Sequence, residues 1–386
     1  MKRFPLRLSN SLAKIDNDLR FAFLSDDSFE KSYFYDLDKK LGNTEFYVTP
    51  LIPSISLYKQ KIAKICPNII VIFSHRLPDI AILIAAKQLR IPVVYFQHGL
   101  YIPFMRRTPS FFLLNLFKTL KYVSYAISIG FNTGVGRISG LLAFLKIFVF
   151  GSTIHKVNLP ADKITADSCL VYSHHWLKYH QEQYGYEKQS IRIVGTPDLD
   201  GTNLDSYKIF DNSVLPNQYC YVAQSLVEDG RLKRAEMVNF LQNLDRKIKS
   251  VDGQLLIKLH PRSDLSLYDS LECKSKLCNE FPAADIYIGH YSTILIRGIA
   301  YTDKFLLVNF KGHNKIPDYI HLLASETINS DDKSSIDKAI ERLRIQPKDL
   351  QVLTEKRVKI KNYFDTSESI SFDRAANEIY SVMEHK

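Results

Sequence analysis

With 386 residues, 46% of them hydrophobic, the chain is long enough for two domains that each bury a core. Its five cysteines, Cys66, Cys169, Cys220, Cys273 and Cys278, are too few and too irregularly spaced for a disulfide framework, and the close pair Cys273/Cys278 has no second Cys/His pair beside it to complete a metal site. The net charge of +10 is uneven: residues 51–160 carry thirteen Lys/Arg against the single acid Asp79, a local balance of +12. A segment so one-sided draws anions, whether acidic polysaccharide, nucleic acid or lipid headgroups, unless it is simply a solvated basic face.

The first residues, Met1-Lys2-Arg3-Phe4-Pro5-Leu6-Arg7, are basic but run into Asn10, Lys14 and Asp16 without the apolar core of a signal peptide. Reduced thiols and a cytoplasmic location are therefore expected. Residues 68–74 (NIIVIFS) read as a buried strand, 78–90 as a helix and 91–97 (IPVVYFQ) as the next strand, which together make a βαβ unit. Residues 105–157 break the pattern as a basic, apolar insertion. Its runs FFLLNLFKTLKYV and LLAFLKIFVF are interrupted by Lys118, Lys121, Arg137 and Lys146, so no uncharged stretch reaches the roughly 18 to 20 residues of a membrane span. An amphipathic segment of this kind fits docking in the headgroup region, a buried core helix or an oligomer contact.

Alternation resumes with a strand at 168–172, a helix rich in His, Trp and Tyr at 173–184 and a strand at 191–195. Residues 196–217, rich in Asp, Asn, Gly, Ser and Pro, read as a linker. Beyond it come strand 219–223, helix 231–250, strand 254–259, strand 285–288, helix 293–301 and strand 304–309. A final helix spans 347–385 with a break near 367–369. The predicted fold class is α/β, two doubly wound Rossmann-like domains facing a cleft, bounded at 1–205 and 206–345, with helices over 346–386 packing back on the first domain.

Three motifs in the second half fall where an apolar run gives way to a turn. Adjacent carboxylates in Glu228-Asp229-Gly230, near a helix start, allow one to remain ionised as a general base. His260-Pro261 follows QLLIKL directly, so the imidazole is presented at a strand end with Lys258 and Arg262 nearby as positive charge for a departing phosphate. Ser292-Thr293, between strand DIYI and the next helix, offers two hydroxyls and free N–H groups, with Ser292 as N-cap. Asp198-Leu199-Asp200 mimics a DxD metal motif but lies in the linker. Gly134-Val135-Gly136 lacks the strand and third glycine of a dinucleotide site.

The series AQSLVEDG, KLHPR and DIYIGHYST resembles the D/E-D/E-G, HP and S/T-S/T motifs of bacterial sialyltransferases, the capsule polysialyltransferases in particular. The resemblance spans roughly residues 68–310 and is uneven. Tyr95-Phe96-Gln97-His98-Gly99 resembles the QHG turn of several capsule and teichoic-acid transferases and does not choose a donor, and Ser292-Thr293 is S-T where the family has S-S. What it implies is a metal-independent GT-B enzyme without a cofactor, using a CMP-sugar donor. Asp229 would be the base and Glu228 its support. His260, Ser292 and Thr293 would hold the CMP phosphate, with Gly230, Lys258, Pro261 and Arg262 at the donor site and Gln97, His98 and Gly99 on the acceptor side. The expected acceptor is an anionic glycan or glycolipid of the bacterial surface, met at the inner face of the cytoplasmic membrane, and nucleic acid is not an expected partner. Alternatives are a CDP-glycerol or CDP-ribitol phosphotransferase, which the acid pair disfavours, a CMP-Kdo transferase, and a non-enzymatic anionic-polysaccharide binder.

Overall fold

Continuous apolar runs bounded by turn residues become strands buried on both faces, as parallel sheets covered by helices require. The computed structural model describes residues 8, 11–12, 14–15, 21–23, 54–97, 116–148, 159–200, 216–228, 232–269, 271, 276–310, 316–364 and 370–384. The chain divides into two units, residues 1–197 with 369–386, and residues 198–368.

In the first unit the elements run β1 (Phe21–Phe23), α1 (Ile55–Ile65), β2 (Ile69–Ile72), α2 (Leu77–Gln88), β3 (Val93–Phe96), α3 (Leu116–Asn132), α4 (Arg137–Phe148), β4 (Ser168–Val171), α5 (His174–Tyr184) and β5 (Ile191–Ile193). The five strands pair in parallel in the order β1-β2-β3-β4-β5. Every residue of β2, β3 and β4 is buried, which is why their sequences show no alternation. Helix α2 starts with Pro78 in its first turn, where a missing N–H costs nothing. Asp79, the sole acid of residues 51–160, is buried there, bonded by the Ser74 hydroxyl and paired with Arg76 Nε at 3.4 Å.

Beside this sheet His75, Tyr95, His180, Tyr184 and Tyr186 stack, with the His75 ring centroid 3.9 Å from Tyr184 and 4.1 Å from Tyr95. The Tyr186 hydroxyl accepts the Ala166 N–H at 3.1 Å and meets His75 Nε2 at 3.0 Å. His180 Nδ1 donates to the Trp176 carbonyl at 2.8 Å, while its Nε2 is buried without a hydrogen-bond partner among the described residues. Burial disfavours the imidazolium form of both rings: it holds His75 well below the ordinary histidine value and brings His180 down to about 4.

The second unit contains β6 (Gln218–Val222), α6 (Arg234–Ser250), β7 (Gln254–Lys258), β8 (Lys276–Cys278), β9 (Ile286–Gly289), β10 (Phe305–Asn309), β11 (Glu326–Asn329), α7 (Lys333–Ile345) and α8 (Leu350–Lys361). Its sheet is wholly parallel, in the order β11-β10-β9-β6-β7-β8. That is the doubly wound order in which the winding reverses between the first and fourth strands, here β6 and β9.

The segment after β9 corrects one expectation: residues Thr293–Ala300 form a 3₁₀ helix rather than an α-helix, and Ser292 makes no side-chain cap bond. The coil packs closely on the strands beneath it. A Cβ on Gly298 would lie 2.7 Å from the Tyr287 ring and 2.8 Å from the Phe305 ring, so the turn sits directly on the sheet. Gly298→Ala is expected to lower stability by about 1–3 kcal/mol through overpacking against buried aromatics. Gly289→Ala, whose Cβ would meet only Leu295 side-chain carbons at 3.3 Å, should cost less. Urea midpoints of the two variants check the contrast, and equal midpoints would contradict it.

The expected final helix is two helices in different units. Lys356 anchors α8 to the second unit by donating to the Asp303 carbonyl at 2.6 Å and the Leu323 carbonyl at 2.8 Å, and Arg357 donates to the Ile299 carbonyl at 3.0–3.1 Å. The second helix, α9 (Ser371–Glu384), belongs to the first unit. There Phe372 meets Phe96, Asp373 accepts the Ser11 hydroxyl at 2.5 Å and Glu378 pairs with Arg192 at 3.3 Å.

Candidate functional site

All three motifs follow strands that are neighbours in the second sheet. Val222 and Lys258 are register partners, as are Tyr221 and Ile288, and neighbouring strands lie about 4.8 Å apart. The chain leaving β6, β7 and β9 therefore emerges along one carboxyl edge, on both sides of the reversal point. Ligands of open α/β sheets bind at that address.

The turns after β6 and β9 are joined by Gln224. Its amide NH₂ donates to the Tyr291 carbonyl and its Oε1 accepts the Tyr291 N–H at 3.3 Å, a paired bond between segments 67 positions apart in sequence. The turns after β6 and β7 are joined by two further bonds. Arg262 Nη2 donates to the Ser225 hydroxyl at 2.8 Å, and the Asp264 N–H donates to Glu228 Oε1 at 2.7 Å. Asp264 also pairs with Arg234 at 2.7 Å, and its bonds to Ser266 and Arg234 hold its carboxyl below the usual carboxylate range. Three loops that carry the motifs are thus one hydrogen-bonded body.

Within it, each side chain has a defined state. The His260 backbone N–H donates to Ser263 Oγ at 3.0 Å, and its Nδ1 accepts the Arg262 N–H at 3.2 Å. An Nδ1 used as an acceptor carries no proton, so in the neutral ring the proton resides on Nε2. The half-buried imidazole is therefore set up as an Nε2–H donor, the form that serves a phosphate oxygen. Ser292 and Thr293 are half-buried, and among the described residues neither hydroxyl has a hydrogen-bond partner. Glu228 Oε2 is buried and likewise without a hydrogen-bond partner among the described residues. Lys258, itself buried, donates from Nζ to the Leu259 carbonyl at 2.6 Å, and Pro261 is exposed. Asp229 and Gly230 lie outside the described residues.

Two further buried side chains tie strand ends together, one in each unit. His290 is buried, donates from Nδ1 to the Val308 carbonyl at 2.6 Å and so ties the end of β9 to β10. Gln97, expected on the acceptor side, is buried in the first unit, where its Oε1 accepts the Tyr172 N–H at 3.1 Å across the ends of β3 and β4. His98 and Gly99 lie outside the described residues. Pro197–Leu199 form a 3₁₀ turn at the Asp198-Leu199-Asp200 motif, and among the described residues no group of three or more His, Cys, Asp or Glu is placed to hold a metal ion.

Gln224, Ser225 and Asp264 were not singled out by sequence reasoning. Their partners lie tens of positions away, and only the sheet order brings them together. No protein-family model matches the chain, and no curated protein matches it. Among solved structures it is similar to Staphylococcus aureus MnaA with UDP (12% identity, TM-score 0.54, covering 98% of this chain and 92% of that one). It is also similar to the kitacinnamycin glycosyltransferase (12%, 0.52, 98% and 95%) and to the Methanocaldococcus jannaschii UDP-GlcNAc 2-epimerase in complex with UDP-GlcNAc and UDP (14%, 0.50, 97% and 95%). The fold is therefore of GT-B type, α/β with two Rossmann-like units of parallel sheet.

Proposed function

We propose that the chain is an inverting glycosyltransferase that moves sialic acid or a related nonulosonate from a CMP donor onto a bacterial surface glycan. The observation that carries the reading is the Nε2–H donor state of His260, on a carboxyl edge shared with Ser292 and Thr293. A nucleotide phosphate needs hydrogen-bond donors. That edge supplies one imidazole N–H together with the Ser292 and Thr293 hydroxyls, which have no hydrogen-bond partner among the described residues. The names of the structural neighbours add support for nucleotide-sugar chemistry in general, and the motif resemblance supplies the CMP donor.

In the reaction Asp229 takes the proton of an acceptor hydroxyl as that oxygen bonds to the anomeric carbon. The bond from that carbon to the CMP phosphate oxygen breaks on the opposite face. CMP departs with its phosphate charge held by His260, Ser292 and Thr293. Glu228 acts through position, since one carboxylate oxygen fixes the Asp264 turn.

Thermal unfolding in the presence of CMP, CDP, UDP and GDP tests the donor. CMP is expected to raise the midpoint without added metal, since a ligand at a hundredfold excess over its Kd stabilises by about 2.7 kcal/mol. A shift with UDP or GDP and none with CMP rejects the assignment.

A further inference from the structure

The first unit carries an apolar face that its own core does not use. Helices α3 and α4 form a hairpin packed backbone to backbone: a Cβ on Gly140 would lie 2.2 Å from the Ala126 carbonyl oxygen, and one on Gly130 would lie 2.5 Å from the Gly136 oxygen. On α3, Leu116, Phe117, Leu120 and Phe131 are exposed, with Phe117 71% accessible. On α4, Ile138, Leu141, Leu142 and Leu145 are exposed, with Ile138 77% accessible. At about 100° per residue, each set falls within an arc of about 100° on its helix. Arg137 and Lys146 lie on the two flanks of the α4 arc, and the Arg137 guanidinium rests 5.2 Å from the Phe131 ring.

We propose that this hairpin face docks on an anionic lipid bilayer, lying in the headgroup region. Among the described residues no helix is long and apolar enough to cross a membrane, so the mode is a surface one. Charge and chemistry together select the occupant. Exposed Leu, Ile and Phe side chains carry no hydrogen-bonding groups for a glycan, whereas acyl chains bury them and headgroup phosphates meet the basic flank. A second copy of the chain is disfavoured because a two-fold contact would set Arg137 and Lys146 against their own likenesses. No acid between residues 80 and 160 could relieve the repulsion, and Asp79 is buried. The inference holds whatever donor the second unit binds.

The test is co-sedimentation of the full chain with vesicles of phosphatidylcholine alone or mixed equally with phosphatidylglycerol. The mixed vesicles are expected to bind it, and the neutral ones at least about tenfold less, since each basic residue near an anionic surface contributes about fivefold. Phe117→Ser/Ile138→Ser and Arg137→Gln/Lys146→Gln should each weaken binding to mixed vesicles by about tenfold or more. Phe117, Arg137 and Ile138 are exposed and Lys146 is half-buried, and circular dichroism confirms that the variants fold. Wild-type affinity in both variants overturns the proposal. So does failure to bind the mixed vesicles, whether the chain instead self-associates through these residues in sedimentation velocity or binds soluble polysialic acid.

Discussion

Asp229→Asn is expected to leave CMP binding intact while turnover falls by about 10² to 10⁴-fold, the usual worth of a general base. The amide keeps the shape of the carboxylate but cannot take the acceptor's proton. Glu228→Gln should cost less, because Gln retains an oxygen to accept the Asp264 N–H and so keeps the β6 and β7 turns joined. His260→Ala should differ from both by weakening CMP as well as slowing transfer, since it removes the proposed Nε2–H contact. CMP titration alongside initial rates with a CMP-sugar separates the three. Near-normal transfer by Asp229→Asn with loss in Glu228→Gln would reverse the roles within the acid pair. Indifference to both would end the inverting mechanism.

Stability of the first unit should fall on mild acidification, by about 3 kcal/mol between pH 6.5 and 4 from His180 alone. The sign follows from the depressed folded-state value. Above pH 6.5 the ring is neutral in both folded and unfolded chains, and the full stability is present. As pH falls toward about 4, the unfolded chain takes up a proton that the buried ring refuses, so unfolding gains. His75, held low by burial and by its neighbour His180, adds in the same direction. His180→Gln removes the titration but retains an amide donor for the Trp176 carbonyl. Urea midpoints of wild type and variant should therefore converge as pH drops from 7 to 4.5. A gap that stays constant across that range would show that His180 does not titrate as its burial requires.

The central strands were legible because both of their faces are buried: NIIVIFS, IPVVYFQ and QLLIKL are continuous apolar runs, and each contains its observed strand. The edge strands of the second sheet were not. In β8, Lys276–Cys278, and β11, Glu326–Asn329, only Ile328 is buried, so the residues carry almost no periodic signal. The apolar spacing at 293–301 predicts a helix but does not distinguish a 3₁₀ coil from an α-helix, and the closeness of Gly298 to two aromatic rings is visible only in the fold. At the candidate site, the addresses of His260 and Ser292 could be read from the strand ends. The Arg262 N–H that fixes the His260 tautomer and the Gln224 bridge could not, since both depend on where the backbone turns.

The separate allegiances of α8 and α9 bear on how the molecule is made. Strands β1 to β5 leave the ribosome before any of the second sheet, yet α9, which buries Phe372, Ala375, Ala376 and Ile379, follows the whole of residues 198–368. The unit begun first is thus the one finished last. While synthesis continues, the surface that later receives Phe372 beside Phe96 waits uncovered, a window in which chaperones or proteases find it. A nick between α8 and α9 would leave α9 held to the first unit by its packing and polar contacts alone, while α8 stays anchored in the second.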